Sequence, residues 1–187
     1  VPTLASYNKV VRGCACDHQE TELPLERLRK GVKGLAKLAK IFQMPIVVSG
    51  VAREDGGPAT MITEIEEGYG PYPIHHRTTA NSLLNDDIAA LIRNSGKRTI
   101  LISGVATELA VQLPAVSAPE MGYRAIVVLD ACGGVSERTE QAAINRMTQA
   151  GSITTSVMTL AGDFPGLTGT IRRDYRSGVS GIRGLHA

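Results

Sequence analysis

The chain has 187 residues, 43% of them apolar and 20% charged, with a formal net charge of +2. That length supports one domain with a sizeable core, and so small and scattered a charge excludes an electrostatic nucleic-acid partner. No apolar run reaches the roughly 18 residues of a membrane span, the first residues lack a signal-peptide pattern, and three cysteines without framework spacing point to reduced thiols in the cytoplasm.

In chain order, Val10 to Cys16 is β-compatible and ends in Asp17-His18-Gln19. From Leu25 to Phe42, the residues Leu28, Val32, Leu35, Leu38, Ala39 and Phe42 recur at helical spacing, with Lys and Arg on the other face. Met44-Pro45 stops that amphipathic helix, and Ile46 to Val51 reads as a buried parallel strand. Asp55-Gly56-Gly57-Pro58 is a loop, and a short helix from about Thr60 to Glu67 ends at Gly68. Tyr72 to His76 makes another strand. Asp86 to Ser95 is a helix stopped by Gly96, and Arg98 to Ser103 is a strand. The helix after Ala106, with Thr107 as its N-cap, contains Pro114 and Pro119, which must kink or split it. Arg124 to Asp130 is a β-branched strand, Ser136 caps a helix over Glu137 to Ala150, Gly151 ends it, and Ile153 to Val157 is the last strand.

Alternating strands and helices predict a parallel sheet covered on both faces, with ligands bound beyond the carboxyl ends of its strands. Residues 1–162 form that domain, and 163–187 is a Gly/Arg-rich tail expected to order against an oligomer partner. Asp17, Arg77 and Gly104 all fall at such strand ends. A carboxylate there is a candidate general acid or base, although Asp17 serves equally well as a structural cap. Arg77 can orient Asp17 or hold an anionic group, and a surface arginine is the commoner fate. Strand Thr99 to Ile102 feeds a helix through Gly104, which aims backbone N–H groups at whatever sits above the turn. Cys14, Cys16 and Cys132 read as small packing residues before reactive thiols. His75-His76 lacks ligand spacing, so no metal is expected; no phosphate or dinucleotide fingerprint is present, so no cofactor is expected either.

Three stretches together resemble the isochorismatase-like superfamily of cysteine hydrolases, closest to the YcaC-type hydrolases of unassigned specificity. They are Asp17-His18-Gln19, Gly104-Val105-Ala106-Thr107-Glu108, and Val127-Val128-Leu129-Asp130-Ala131-Cys132. Pro114-Ala115-Val116-Ser117-Ala118 and Arg146-Met147-Thr148-Gln149-Ala150-Gly151 support the likeness, which spans Val10 to Val157. The resemblance implies a three-layer α/β/α, Rossmann-like fold with a six-stranded parallel sheet in the order 3-2-1-4-5-6. It implies a triad in which Asp17 matches the Asp, Arg77 stands where a Lys belongs, and Ala110 falls on the nucleophilic Cys. It also implies a cis peptide between Val105 and Ala106, an oxyanion hole from the N–H groups of Ala106 and Ala110, and a homo-oligomer. Gln19 and Asn81 are the expected pocket residues. The loop from Arg53 to Pro58 lacks the Asp and His ligands of metal-bearing nicotinamidases.

Three functions compete on this reading. The first is hydrolysis of a small molecule at an amide or related C–N bond, with the nucleophile position occupied by Ala110. The second is cysteine-independent hydrolysis of a vinyl ether with Asp17 as general acid. It is ranked lower because Val105-Ala106-Thr107-Glu108 replaces the Tyr-Ala-His run typical of isochorismatases. The third is an inactive paralogue that binds or assembles.

Overall fold

A computed structural model describes residues 3–6, 22–51 and 61–163. Its strands are β1 (Thr3–Ser6), β2 (Ile46–Val51), β3 (Ile74–Arg77), β4 (Thr99–Val105), β5 (Arg124–Gly133) and β6 (Ile153–Thr155). They form one sheet in the order β3-β2-β1-β4-β5-β6, and every pairing is parallel. Between them run the helices α1 (Glu22–Ile41), α2 (Thr63–Tyr69), α3 (Asp86–Asn94), α4 (Gln112–Glu120), α5 (Glu137–Gln149) and α6 (Val157–Asp163). Parallel strands need crossovers, so each face of the sheet is roofed by helices. On one face Val32, Leu35 and Leu38 of α1, Ile65 of α2, and Val157 and Leu160 of α6 pack over Val48, Leu101 and Val128. On the other face Ile88 and Ile92 of α3, Ala115 and Ala118 of α4, and Met147 of α5 pack over Ile100, Ile102 and Val127. Side-chain alternation along β4 thus sends Leu101 one way and Ile100 and Ile102 the other, all fully buried. Each such side chain contributes about 1.5–3 kcal/mol by leaving water.

Several expectations shift. The first strand of the sheet is Thr3–Ser6, ahead of the stretch from Val10 to Cys16 assigned to it from sequence. That stretch lies outside the described residues, as do Cys14, Cys16, Asp17 and Gln19 and most of the C-terminal tail. Gly68 does not stop α2. The helix runs on to Tyr69, and Gly70, with φ 107°, caps it. Gly68 is instead a point of close approach: a Cβ there would lie 2.6 Å from Ala36 Cβ and 2.9 Å from the Lys33 carbonyl oxygen on α1. The final apolar stretch divides at Ser156. Its hydroxyl accepts from the Thr159 N–H at 3.1 Å and so opens α6 where continued strand was expected.

The carboxyl edge of the sheet differs most. β4 continues past Ser103 through Gly104, whose φ of 153° favours glycine, and ends at Val105. Ile102 pairs with Val127 but Gly104 pairs with Cys132, so β5 carries a bulge that extends it to Gly133. The next segment, Thr107–Val111, is a turn of π-helix, and α4 begins only at Gln112. The prolines do not split the helix: both lie within α4, continuous from Gln112 to Glu120, with Pro114 in its first turn, where a missing N–H matters least.

Candidate active site

Four strand ends define the carboxyl edge: Val51 of β2, Arg77 of β3, Val105 of β4 and Gly133 of β5. Arg77 is the last residue of its strand, and its side chain is buried at 4% exposure. The guanidinium Nε donates to Ser49 Oγ on β2 at 3.3 Å. Its Nη1 donates to the carbonyl oxygens of Thr79 and, at 3.2 Å, Ala80. Burial holds the guanidinium below its ordinary value. These bonds fix the cation and shape the loop after β3 around it.

Asn81 closes that loop, with both ends of its amide engaged within the chain. Its Oδ1 accepts from the Leu83 N–H at 3.1 Å, and its Nδ2 donates to Ser117 Oγ on α4 at 2.8 Å. It caps a 3-10 turn over Ser82–Leu84 and ties the loop to α4. The side chain expected to line the substrate pocket thus tethers the loop through both ends of its amide.

The peptide bond between Val105 and Ala106 is cis. Ala106 precedes the π-turn in extended conformation, without a side-chain cap. Thr107 is not that cap. It is fully buried, and its hydroxyl donates to Glu140 Oε1 on α5 at 2.8 Å. Leu109 and Ala110 both donate their N–H groups to the Ala106 carbonyl, at 3.1 and 3.0 Å. The Ala110 N–H therefore has an acceptor within the chain, where the resemblance placed it free for an oxyanion. The Ala110 methyl is buried at 7% exposure beside Val111, and Leu109 projects outward. π-turns of this kind gather at functional sites.

Glu108, quoted above only within a motif, is the residue whose part the sequence did not signal. Its Oε1 accepts from the Val135 N–H at 2.8 Å and from Thr139 Oγ1 at 2.5 Å. Burial pushes its carboxyl up, but hydrogen bonds from Thr139 and the backbone at Val135 and Ser136 outweigh it and hold the group below its ordinary value. Partners 27 and 31 residues away leave no local trace. On β5, burial raises the Asp130 carboxyl even though both of its oxygens accept from the Val157 N–H, at 2.9 and 3.1 Å. Cys132 lies beside Gly104, but it is buried, and its Sγ donates to the Val128 carbonyl at 3.2 Å. Burial pushes its thiol up to about 12, so it is a packing residue at neutral pH.

Among the described residues no three His, Cys, Asp or Glu side chains gather as a metal site requires. No helix among them is long and apolar enough to cross a membrane. A depression of about 400 Å³ lined by Lys40, Gln43, Pro45 and Tyr69 lies at the amino end of β2, away from the carboxyl edge.

A family model described as the isochorismatase domain matches residues 15–159. The Probable hydrolase YcaC of Escherichia coli (strain K12) is 31% identical over 176 residues, covering 90% of this chain and 81% of that protein. Among solved structures, YcaC from Pseudomonas aeruginosa, with hexane-2,5-diol and covalent acrylamide, superposes with a TM-score of 0.75 at 25% identity. That match covers 99% of this chain and 86% of the other. The YcaC gene product of Escherichia coli, described as an octameric hydrolase of unknown specificity, gives a TM-score of 0.72 at 27% identity and covers 99% and 85%.

Proposed function

Because this chain belongs to the isochorismatase family, we propose that its carboxyl edge is a hydrolase site for an amide or related C–N bond of a small molecule, with Ala110 in the nucleophile's place. The observation that carries this reading is the strand-to-turn junction, in which β4 passes through Gly104 into a π-turn holding Ala110 nearly buried near its end.

With a thiol at residue 110 the chemistry is complete. Asp17 takes the thiol proton, and the thiolate attacks the carbonyl carbon. The developing oxyanion takes hydrogen bonds from the Ala106 and Ala110 N–H groups, the latter by competition with the Ala106 carbonyl. The C–N bond breaks, and the nitrogen leaves with the proton held on Asp17. Water, deprotonated by Asp17, then attacks the thioester and releases the acid. Arg77, anchored through Ser49 and the loop after β3, holds Asp17 as its carboxylate. With alanine at 110 no electron pair is available for the first step. The present chain therefore binds and polarises a carbonyl without covalent turnover.

The Ala110 methyl also favours one second reading, in which Asp17 protonates the terminal carbon of a vinyl ether and water adds to the cation. That route needs no nucleophile at 110. Two experiments separate the readings. Ala110→Cys is incubated with acrylamide, the reagent found covalently bound in the Pseudomonas aeruginosa structure, and its peptides are mapped. An adduct on residue 110 in the folded variant supports the cysteine-hydrolase site, and its absence overturns it. Turnover of isochorismate by the unmodified chain would establish the second reading.

The assembled form is a homo-oligomer on the same reading. Its support is the octameric Escherichia coli relative and the exposed apolar side chains of Leu84 and Leu109, at 66% and 55%. Light scattering at micromolar concentration should give a mass several times that of one chain, and a monomer would refute assembly.

A further inference from the structure

Two consecutive side chains of the π-turn are tied to the segment that opens α5. Thr107 bonds to Glu140, and Glu108 Oε1 gathers the Val135 N–H and the Thr139 hydroxyl. Ser136, the cap of α5, lies 3.2 Å from the Thr139 N–H that it accepts and 2.9 Å from the Thr139 hydroxyl. The acceptor on Glu108 is therefore joined to the helix's own cap. Gly134 is closed against both carboxylates: a Cβ there would lie 2.8 Å from Glu140 Cβ and 2.9 Å from Glu108 Oε1. The other Glu108 oxygen is buried without a partner among the described residues. A part-buried carboxylate held by two donors on one oxygen resists rotation, because turning it away would give up both bonds and take from the Val135 N–H its acceptor.

The same turn sets residue 110. Its N–H and that of Leu109 both end on the Ala106 carbonyl, so the orientation of residues 106–110 is inherited as one body. We propose that Glu108 is a positioning residue, whose tether to Val135 and Thr139 fixes the direction in which the side chain of residue 110 meets an incoming carbonyl. The inference rests on the reading of residue 110 as the nucleophile's place. Glu108 itself touches no reacting atom.

The test is the second-order rate of acrylamide alkylation at residue 110 in the Ala110→Cys chain, with and without changes at Glu108. Rates are taken on the plateau of the pH profile, where the thiol is fully ionised and any change in its pKa drops out. Adding Glu108→Ala should slow alkylation about tenfold, the scale on which small misplacements of reacting groups act. Adding Glu108→Gln keeps an oxygen for both donors and should leave the rate within about threefold, on the same argument. Melting temperatures of all variants are recorded alongside. A lower melting temperature for Glu108→Ala with an unchanged rate would make the tether merely structural and overturn the proposal. A rate for Glu108→Gln as slow as for Glu108→Ala would overturn it too, by assigning the effect to charge. If Ala110→Cys alone shows no adduct at residue 110, the nucleophile reading fails, and this inference falls with it.

Discussion

Replacing Gly31 with alanine is expected to lower the melting temperature by roughly 4–8 °C or more, or to abolish folding, although alanine is the better helix former. Residue 31 lies on α1 directly over β5. An added Cβ would stand 1.8 Å from the Asp130 carbonyl oxygen, 2.5 Å from its carbon and 3.1 Å from the Ala131 nitrogen. These are backbone atoms of the β5 bulge and cannot swing aside as the far end of a side chain would, so α1 must lift from the sheet. Lifting it opens the contacts of Val32 and Leu35, which are 2% and 3% exposed. It also disturbs Asp130, whose carboxylate holds the start of α6 through the Val157 N–H. Overpacking commonly costs about 1–3 kcal/mol, and a fixed backbone obstacle places this case at or beyond the upper end. The gain in helix propensity returns only about 1 kcal/mol. At roughly 2–4 °C per kcal/mol for a chain of this size, thermal unfolding will resolve the difference. Gly34→Ala is the control. Its Cβ would meet only Val157 Cγ1, at 3.1 Å, and that methyl can give way, so this variant should melt within a few degrees of the parent. Equal melting of the two variants would show that α1 does not seat on β5 at Gly31.

That contrast explains what could be read from the chain. Signals carried within one turn or one strand were legible. The apolar spacing from Val32 to Ala39 marks the face of α1 that is buried, Ile46–Val51 is β2, and Ser136 caps α5. Features that depend on a distant partner were not. Gly68 looks like a stop in sequence, but it is shaped by Ala36 on another helix. Thr107 has the chemistry of an N-cap, yet its hydroxyl serves Glu140, 33 residues on. The bond from Asn81 to Ser117, 36 residues away, likewise leaves no mark in the sequence. The π-turn has no compositional signature, since it follows from how β4 enters the turn and how α5 grips it. Arg77 follows the stretch Tyr72 to His76 that reads as a strand, but its burial and its bonds to Ser49 and the loop carbonyls come from the fold.

Ala110→Cys is expected to have the largest effect on activity, because one sulfur atom supplies the step for which the present chain has no atom. Removing a catalytic nucleophile from a hydrolase costs up to about 10⁶-fold, with a remainder due to binding and the oxyanion hole. On the proposed reading of residue 110 as the nucleophile's place, a thiol there should recover on the order of 10³-fold or more in amine release from small amides, on the same scale. The substitution is sterically modest: residue 110 is 7% exposed near the end of a turn, and the thiol replaces one methyl hydrogen. Cys132 cannot provide the same service, because burial keeps its thiol protonated, near 12. The recovered activity must therefore disappear on Asp17→Asn in the same chain and persist on Cys132→Ala. Amine release unchanged by Asp17→Asn would remove Asp17 from the mechanism. No release from any small amide, not even one equivalent, in a variant that still takes up acrylamide at residue 110, would show a reactive thiol that amides do not acylate, whereas release of a single equivalent would place the missing function in the hydrolytic half of the cycle.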